Sequence, residues 1–316
     1  GSVIGIDGAS IPLIIERIKS LTGKSKLIAV FSAPLTTVDG NRRSLTDVAL
    51  ELGKIAEGGS VPDLTIVRKT YEKISELVDS KFQNECKMMI DDYLEKVKTE
   101  LEKVVKNKEF ADETRSKILA FSGEIIMSQM MEYVLKSHNI KSQFVGLEDW
   151  PIITDNNIES TNFLVNESSK NIVHVEKMLE KNDVISIGGF IGRTKDGIMT
   201  TYERGGSDRT AADLGILLHK KFDVEIDLEK DRSVVSADPK IVSDGLTEVS
   251  SLSYNEARLA GMFGMKILDP IAIKEILENG ASLPIMITDI KNPDKCTEVT
   301  RKISAESGHP IKIVTG

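Results

Sequence analysis

The chain has 316 residues, a formal net charge of -8 and a hydrophobic content of 40%. This length is ample for a hydrophobic core in one large or two small domains. The acidic balance argues against nucleic-acid binding, so an anionic ligand has to be held by local positive groups. No apolar run approaches membrane-spanning length and no leader pattern opens the chain, so we expect a cytoplasmic protein with no membrane partner.

The cysteines and histidines give no metal or disulfide pattern. Cys86 and Cys296 lie far apart and belong to no paired motif, so neither a disulfide framework nor a zinc site is predicted. The four histidines share no metal-ligand spacing, and none neighbours a Cys or Ser nucleophile motif. We therefore predict no metal centre built from protein side chains.

The first part of the chain alternates strand and helix patterns. Residues 3–6 predict a short strand that runs into a tight turn, and apolar residues then recur at helical spacing as far as Ile18. Residues 27–31 predict a strand ending in the loop Ser32-Ala33-Pro34, and open α/β sheets bind ligands in such loops. Apolar spacing from residue 63 to about residue 107 predicts a pair of amphipathic helices.

The same alternation continues to the end of the chain. Ser122-Gly123-Glu124 is predicted to begin a helix that reaches about residue 135. The other predicted elements are strands over 143–147, 162–165, 183–187, 222–226, 284–288 and 311–314, helices over 171–181, 210–220, 254–263 and 271–278, and a hairpin that turns at Lys195-Asp196-Gly197. This order predicts an α/β fold with helices on both faces of a sheet.

One segment predicts an anion-binding site. Gly205-Gly206 lets the backbone approach a ligand closely, and Arg204 can grip a carboxylate or phosphate with two parallel hydrogen bonds. Thr210 with Asp213 has capping-box spacing, so we predict that a helix starts there and turns its positive dipole end toward the glycines. An ordinary glycine turn is the alternative, which the neighbouring Arg, Ser, Asp and Thr disfavour.

The sequence allows two interpretations of Glu124. It lies in the first turn of a predicted helix, where a surface carboxylate interacts favourably with the helix dipole. In a pocket, the same carboxylate could instead hold the ammonium group of a ligand.

With these motifs in view, the chain resembles the aspartate kinases of the amino acid kinase family. The most specific signature comprises residues 189–192, Thr200-Thr201, residues 204–208 and residues 210–212. Further segments follow in family order, namely residues 32–33 with 46–47, 122–124, 153–155, 237–240, 252–257 and 263–270. The resemblance therefore extends along nearly the whole chain.

The resemblance implies an open αβα sandwich with a largely parallel central sheet, in one amino acid kinase domain over residues 1–316. A lobe ending near residue 220 would bind the amino acid, and a lobe from about residue 221 would bind MgATP. The implied reaction transfers the γ-phosphoryl group of ATP to the β-carboxylate of L-aspartate, giving 4-phospho-L-aspartate, the first step of lysine, threonine and methionine biosynthesis. A homodimer is compatible with the resemblance.

The resemblance also implies roles for individual residues. Arg204 would clamp the α-carboxylate of aspartate and Glu124 its ammonium group. The other substrate-binding residues would be Ser32, Thr46, Gly206 and Ser207. Asp208 would organise the catalytic centre, and Lys266 would neutralise phosphate charge. The residues implied for the nucleotide are Gly8, Lys230, Val235, Lys240 and Lys266.

The sequence departs from the family at its amino-terminal turn and in the nucleotide lobe. Aspartate kinases open with a Lys-Phe-Gly-Gly-Thr-Ser turn, whose Lys position falls on Gly5 in one alignment; in the other, residues 1–3 are the tail of that motif. In both, no Lys precedes Lys19. In the nucleotide lobe, residues 229–233 replace the family's Thr-Asp-Val-Asp-Gly. The departures keep two alternatives open: a non-catalytic aspartate-binding or regulatory homologue, and a kinase for another small amino acid.

The regulatory domains of the family concern the carboxyl end of the chain. The family's regulatory ACT domains would begin at about Gly316, so we expect no ACT domain within these residues.

Overall fold

Two compact units make up the chain, residues 1–207 and residues 208–316. The computed structural model describes residues 2–203, 206–238, 241–242, 244–265, 267–302 and 312–313. The division falls in the first turn of a helix that begins at Gly206, whereas the resemblance implied a lobe boundary near residue 220. That the first lobe binds an amino acid and the second a nucleotide stays a prediction.

Amphipathic helices account for much of the first unit. On the longest, buried side chains recur every three or four residues from Cys86 to Val104, which is the spacing of one helical face. The helices are α1 (Ile11–Thr22), α2 (Leu45–Glu57), α3 (Thr65–Ser75), α4 (Gln83–Asn107), α5 (Asp112–Ser122), α6 (Glu124–Ser137) and α7 (Val165–Lys181).

Short strands of the first unit form two small sheets and a hairpin. The strands are β1 (Leu27–Phe31), β2 (Leu35–Val38), β3 (Asn41–Ser44), β4 (Ser142–Phe144), β5 (Ile153–Thr154), β6 (Val184–Gly188), β7 (Ile191–Thr194) and β8 (Met199–Thr201). One sheet has the order β1-β6-β4 and is parallel throughout, and all of β6 is buried at its centre. The second has the order β5-β7-β8, and β2 pairs with β3 as an antiparallel hairpin.

The second unit contains a mixed four-stranded sheet. Its helices are α8 (Gly206–Leu218), which begins in the first unit, α9 (Tyr254–Met262) and α10 (Pro270–Glu278). The strands β9 (Ile226–Lys230), β10 (Ser251–Ser253), β11 (Ile285–Asp289) and β12 (Cys296–Thr300) lie in the order β10-β12-β11-β9. The β11–β9 and β10–β12 pairs are parallel and the β11–β12 pair is antiparallel. The predicted α/β class with largely parallel strands is therefore confirmed.

The segment Asp112–Ser137, which holds α5 and α6, is long and apolar enough to cross a membrane by length and composition. Within the protein, however, 78% of its most apolar window is buried. The apolar character therefore suits core helices, because buried packing demands the same composition.

Several predicted boundaries are wrong. Residues 3–6 form no strand, and only Ile6 makes a single bridge, to Leu35. The strand predicted over 162–165 is reduced to a bridge at Phe163, because the chain enters α7 at Val165. The strand predicted over 222–226 lies four residues later as β9. The strand predicted over 311–314 falls largely outside the described residues.

Candidate functional site

The carboxyl ends of β1 and β6 lie side by side in the first unit. Phe31 pairs with Gly188 at the end of the parallel register, and the Gly189 amide donates to the Phe31 carbonyl oxygen at 2.8 Å. The loop that begins with Ser32 therefore leaves the sheet next to Gly189. This is the edge at which open α/β sheets bind ligands, as the sequence predicted for the loop after β1.

Ser32 and Ser207 meet at this edge. Their hydroxyl oxygens lie 2.8 Å apart, within hydrogen-bond distance. Gly189 leaves the room for this contact, since a Cβ atom at that position would lie 2.5 Å from Ser207 Oγ and 3.0 Å from Ser207 Cα. Two predicted substrate-binding residues from distant parts of the sequence are thus brought together.

Glu124 is the first residue of α6 and is buried, with 4% of its surface exposed. Its Oε1 atom accepts a hydrogen bond from the Ala33 amide at 3.3 Å, whereas Oε2 has no hydrogen-bond partner among the described residues. Burial raises the pKa of Glu124 to about 7, against the lowering effect of the Ala33 hydrogen bond. The interpretation as a solvated surface carboxylate is therefore wrong.

A buried carboxylate oxygen without a donor indicates a missing positive or donor group. Ser32, Glu124 and Ser207 are here called the serine–glutamate cluster, because Ser32 bonds Ser207 and Glu124 bonds the amide of Ala33, the residue after Ser32. Gly188 completes the packing, because a Cβ atom there would lie 3.0 Å from the Glu124 carbonyl oxygen. The sequence analysis missed this role of Gly188, which only the pairing of β1 with β6 reveals.

The helix after the glycine pair begins earlier than predicted. It starts at Gly206, so Thr210 lies inside α8 and is fully buried, and the predicted capping box of Thr210 with Asp213 is wrong. The described residues instead show a capping box at the start of α9, between Ser253 and Glu256. Gly206 fits closely against Tyr202, whose Cβ would lie 2.5 Å from an added Cβ atom. Arg204 and Gly205, both predicted site residues, lie outside the described residues.

Thr46 lies in the first turn of α2, a half-buried position. Ser44 caps this helix by accepting a hydrogen bond from the Asp47 amide at 3.0 Å. Among the described residues, the Thr46 side chain forms no hydrogen bond with the serine–glutamate cluster. Its role in substrate binding stays a prediction from the resemblance.

The turn before α1 contains Gly5 and Gly8, two positions to which the resemblance draws attention. Gly8 has a φ of +78°, and a Cβ atom there would lie 2.8 Å from both Ile11 Cδ1 and Ile74 Cγ1. Gly5, where one alignment puts the family Lys, has a φ of +81° and Ser10 Oγ at 2.9 Å from an added Cβ. A side chain at Gly5 would therefore be strained.

Asp7 also lies in this turn, with a φ of 49°. Its amide donates to the Leu35 carbonyl oxygen at 2.7 Å, while its Oδ1 is buried and has no hydrogen-bond partner in the described part of the chain. In the alignment that puts the family Lys at Gly5, Asp7 stands where the family turn has its first glycine.

In the second unit, Asp208 and Lys230 form an ion pair. The Lys230 ammonium lies 2.9 Å from each carboxylate oxygen of Asp208. Lys230 ends β9, next to Asp289 at the end of β11 in the parallel register. A predicted catalytic residue and a predicted nucleotide-binding residue are thus in direct contact.

The remaining predicted nucleotide residues are only partly described. Val235 forms an isolated antiparallel bridge with Glu248. Lys240 and Lys266 lie outside the described residues.

The model of the amino acid kinase family matches residues 1–289 of this chain. An aspartokinase of Rickettsia felis is 29% identical over 188 residues, which cover 59% of this chain and 45% of that protein. Aspartokinase 1 of Bacillus subtilis is 28% identical over 209 residues, covering 63% and 48% of the two chains. The chain thus spans about half the length of these curated relatives.

Solved structures show the same fold. The chain matches E. coli aspartokinase III in complex with aspartate and ADP with a TM-score of 0.79 at 20% identity, over 96% of this chain and 63% of that one. The aspartate kinase of Clostridium acetobutylicum matches with a TM-score of 0.68 at 24% identity, over 95% and 61%. The predicted fold and the predicted resemblance to aspartate kinases are confirmed.

Proposed function

Because the chain belongs to the amino acid kinase family, we propose that it transfers the γ-phosphoryl group of ATP to the β-carboxylate of L-aspartate. The curated relatives named above are aspartokinases, which supports aspartate as the substrate. The observation that carries the proposal is Glu124, a buried carboxylate that bonds the Ala33 amide through Oε1 and whose Oε2 has no hydrogen-bond partner among the described residues. We also propose that the protein is cytoplasmic, as the sequence predicts.

The serine–glutamate cluster suits the amino acid half of the reaction. The ammonium group of aspartate would supply the positive donor that Glu124 Oε2 lacks among the described residues. Ser32 and Ser207 can each donate or accept, so they can re-orient toward substrate oxygens. Arg204 would hold the α-carboxylate, as the resemblance implies. In this arrangement Glu124 binds as the ionised carboxylate, because a nearby ammonium group favours that form.

The proposed reaction needs no strong general base. The β-carboxylate of aspartate is ionised near neutral pH and attacks without prior deprotonation. Rate acceleration then comes from positioning the carboxylate and from neutralising charge on the phosphates. These are the tasks that buried hydrogen-bonding side chains and local cations can perform.

The Asp208–Lys230 pair suits the nucleotide half. Lys230 can contribute positive charge to phosphate oxygens, and the oxygens of Asp208 are the hard ligands that Mg²⁺ prefers. MgATP, when bound, supplies the γ-phosphoryl group. The residues present therefore fit a magnesium nucleotide, with Lys240 and Lys266 as the further cations that the resemblance implies.

Trapping the product with hydroxylamine tests the proposal. Incubation with L-aspartate, MgATP and hydroxylamine should give aspartyl hydroxamate, and Glu124→Gln should reduce its rate by at least about 100-fold. Glu76→Gln is the matched control, since Glu76 is an exposed carboxylate of the same unit. Absence of hydroxamate with the unchanged protein would refute the proposal.

One observation favours a second function, aspartate binding without phosphoryl transfer. In the alignment that puts the family Lys at Gly5, the turn before α1 lacks its charge, because Gly5 has left-handed backbone and Asp7 is acidic. Calorimetry separates the two functions. Binding of aspartate without binding of MgATP would support the second function, and binding of both together with turnover would exclude it.

A further inference from the structure

We propose that Tyr71 is a positioning residue for Glu124. Its hydroxyl group fixes the junction of α5 and α6, and through that junction it sets the direction of the Glu124 carboxylate. The inference rests on the proposed function in one respect only, namely that this carboxylate binds the substrate ammonium group.

The Tyr71 hydroxyl lies between two consecutive carbonyl groups. It is fully buried on α3 and donates toward Ser122 O at 2.9 Å and Gly123 O at 3.0 Å. The last carbonyl groups of a helix have no partner within the helix, so a side-chain donor at this point stabilises the end of α5. Both bonded residues directly precede Glu124, which leaves little freedom for the backbone that carries it.

The junction itself is an unusual piece of backbone. Gly123 has φ -121° and ψ -99°, and a Cβ atom there would lie 2.8 Å from Leu119 O. The same Cβ would lie 3.1 Å from Ala33 Cβ, so the junction packs against the residue whose amide binds Glu124. A small change in the junction therefore changes the distance between Glu124 and Ala33.

Residues before and after Tyr71 on α3 fix the position of this helix. Thr70 Oγ1 donates to Thr36 Oγ1 on β2 at 2.9 Å, and Ile74 fills the space in front of Gly8. Burial, and after it the charge of Glu124, raises the pKa of Tyr71 well above its ordinary value. The hydroxyl consequently remains a hydrogen-bond donor across the pH range in which enzymes work.

Tyr71→Phe removes the hydroxyl group and keeps the ring. Tyr93→Phe is the matched control, because the Tyr93 hydroxyl also bonds α6, at Gln129 Oε1 and 2.8 Å, away from the junction. Two quantities are measured for each variant at a pH and temperature where urea unfolding shows it folded. The first is the affinity for L-aspartate and for succinate, the same dicarboxylate without an ammonium group, by calorimetry. The second is the pKa of Glu124, from ¹³C NMR of labelled glutamate carboxyl groups, assigned with Glu124→Gln.

We expect Tyr71→Phe to weaken aspartate binding about tenfold and succinate binding hardly at all. We also expect the pKa of Glu124 to fall by about 1 toward its ordinary value, since a loosened junction admits water to the carboxylate. Tyr93→Phe should change neither quantity. Gly123→Ala, which disturbs the same junction from its other side, should reproduce the selective loss of aspartate binding.

Two results would overturn the inference: equal effects of Tyr71→Phe on both ligands, or an unchanged pKa of Glu124. The NMR titration needs no ligand. If the unchanged protein fails to bind aspartate, the proposed function fails, and the titration alone decides whether Tyr71 positions Glu124.

Discussion

Ser32 Oγ and Ser207 Oγ lie 2.8 Å apart although 175 positions separate the two residues in the sequence. The contact joins the loop after β1 to the first turn of α8. It depends on Gly189 in the loop after β6, where an added Cβ atom would lie 2.5 Å from Ser207 Oγ. The geometry of the serine–glutamate cluster therefore follows from the absence of a side chain at one position.

Gly189→Ala should destabilise the protein by about 1–3 kcal/mol, because its Cβ atom would overlap the Ser207 side chain and backbone. Aspartate binding should fall in parallel. Gly23→Ala is the control, since Gly23 has a φ of -67° and, apart from its chain neighbours, the atom nearest to an added Cβ would be Ser20 O at 4.0 Å. Urea unfolding measures both variants, and equal stabilities would contradict the predicted overlap.

Aspartate affinity should depend on pH through Glu124. Its pKa is raised to about 7 by burial, so below that pH the carboxyl group carries a proton that must leave before the ammonium group binds. We expect roughly tenfold weaker binding at about pH 6 than at about pH 8. Calorimetry in buffers of different ionisation enthalpy should show proton release at the lower pH, and Glu124→Gln should abolish it. Affinity independent of pH would contradict this linkage.

The Glu124 carboxyl group should also make folding stability depend on pH. Stability should fall as pH rises, whereas aspartate affinity should increase. The folded-state pKa of about 7 lies above the ordinary value of 4.5, so the folded protein binds this proton more tightly than the unfolded chain does. The stabilisation is complete below the ordinary value and is lost as pH rises through about 7, amounting to roughly 3 kcal/mol. Urea unfolding of Glu124→Gln over that interval should show a correspondingly flatter pH dependence, and identical slopes would disprove it.

Lys230→Met should weaken MgATP binding at least about tenfold while aspartate binding persists. The loss of stability should stay near 1 kcal/mol, because the Asp208–Lys230 pair is partly exposed to water. Lys295→Met, which removes the cation of the exposed Lys295–Glu248 pair in the same unit, is the control for charge. Calorimetry with each ligand checks the result, and equal MgATP affinities of the two variants would exclude Lys230 from the nucleotide site.

Arg209→Met should cost roughly 3–5 kcal/mol, because it removes the buried cation that pairs with the largely buried Glu275 carboxylate. Arg209 is 4% exposed and Glu275 13% exposed, and Arg209 Nη2 lies 2.6 Å from Glu275 Oε1. Lys274→Met breaks an exposed pair with Glu278 and should cost under about 0.5 kcal/mol. Thermal and urea unfolding of both variants test this difference, which a cost below about 1 kcal/mol for Arg209→Met would contradict.

Sequence patterns predicted those elements whose signals are local. The strand at Leu27–Phe31, the helix that begins at Glu124 and the hairpin of β7 with β8 all follow from apolar runs, capping positions and turn residues. The strand predicted over 162–165 failed because strand formation needs a partner. Only Phe163 finds one, at Thr154, and the following residues gain more as the first turn of α7.

The residues of the candidate site were predicted from the sequence, but their burial and their contacts were not. The resemblance grouped Ser32, Glu124 and Ser207, and the structure brings them to one sheet edge. The burial of Glu124 beside Gly188 depends on contacts between segments far apart in sequence, which periodicity does not report. The hydrogen bonds from Tyr71 to the junction of α5 and α6 were missed for the same reason. In the sequence, the pattern of α3 predicts only an amphipathic helix.

Gly188 and Gly189 bring main chain against Glu124 and Ser207, so this wall of the candidate site cannot be reshaped by exchanging side chains. Directed evolution toward a different amino acid should therefore leave both positions fixed. Diversity is better introduced at Thr46, which is half-buried and, among the described residues, forms no hydrogen bond with the serine–glutamate cluster. A library that keeps both glycines should contain few misfolded variants and should mainly sample changes in ligand preference.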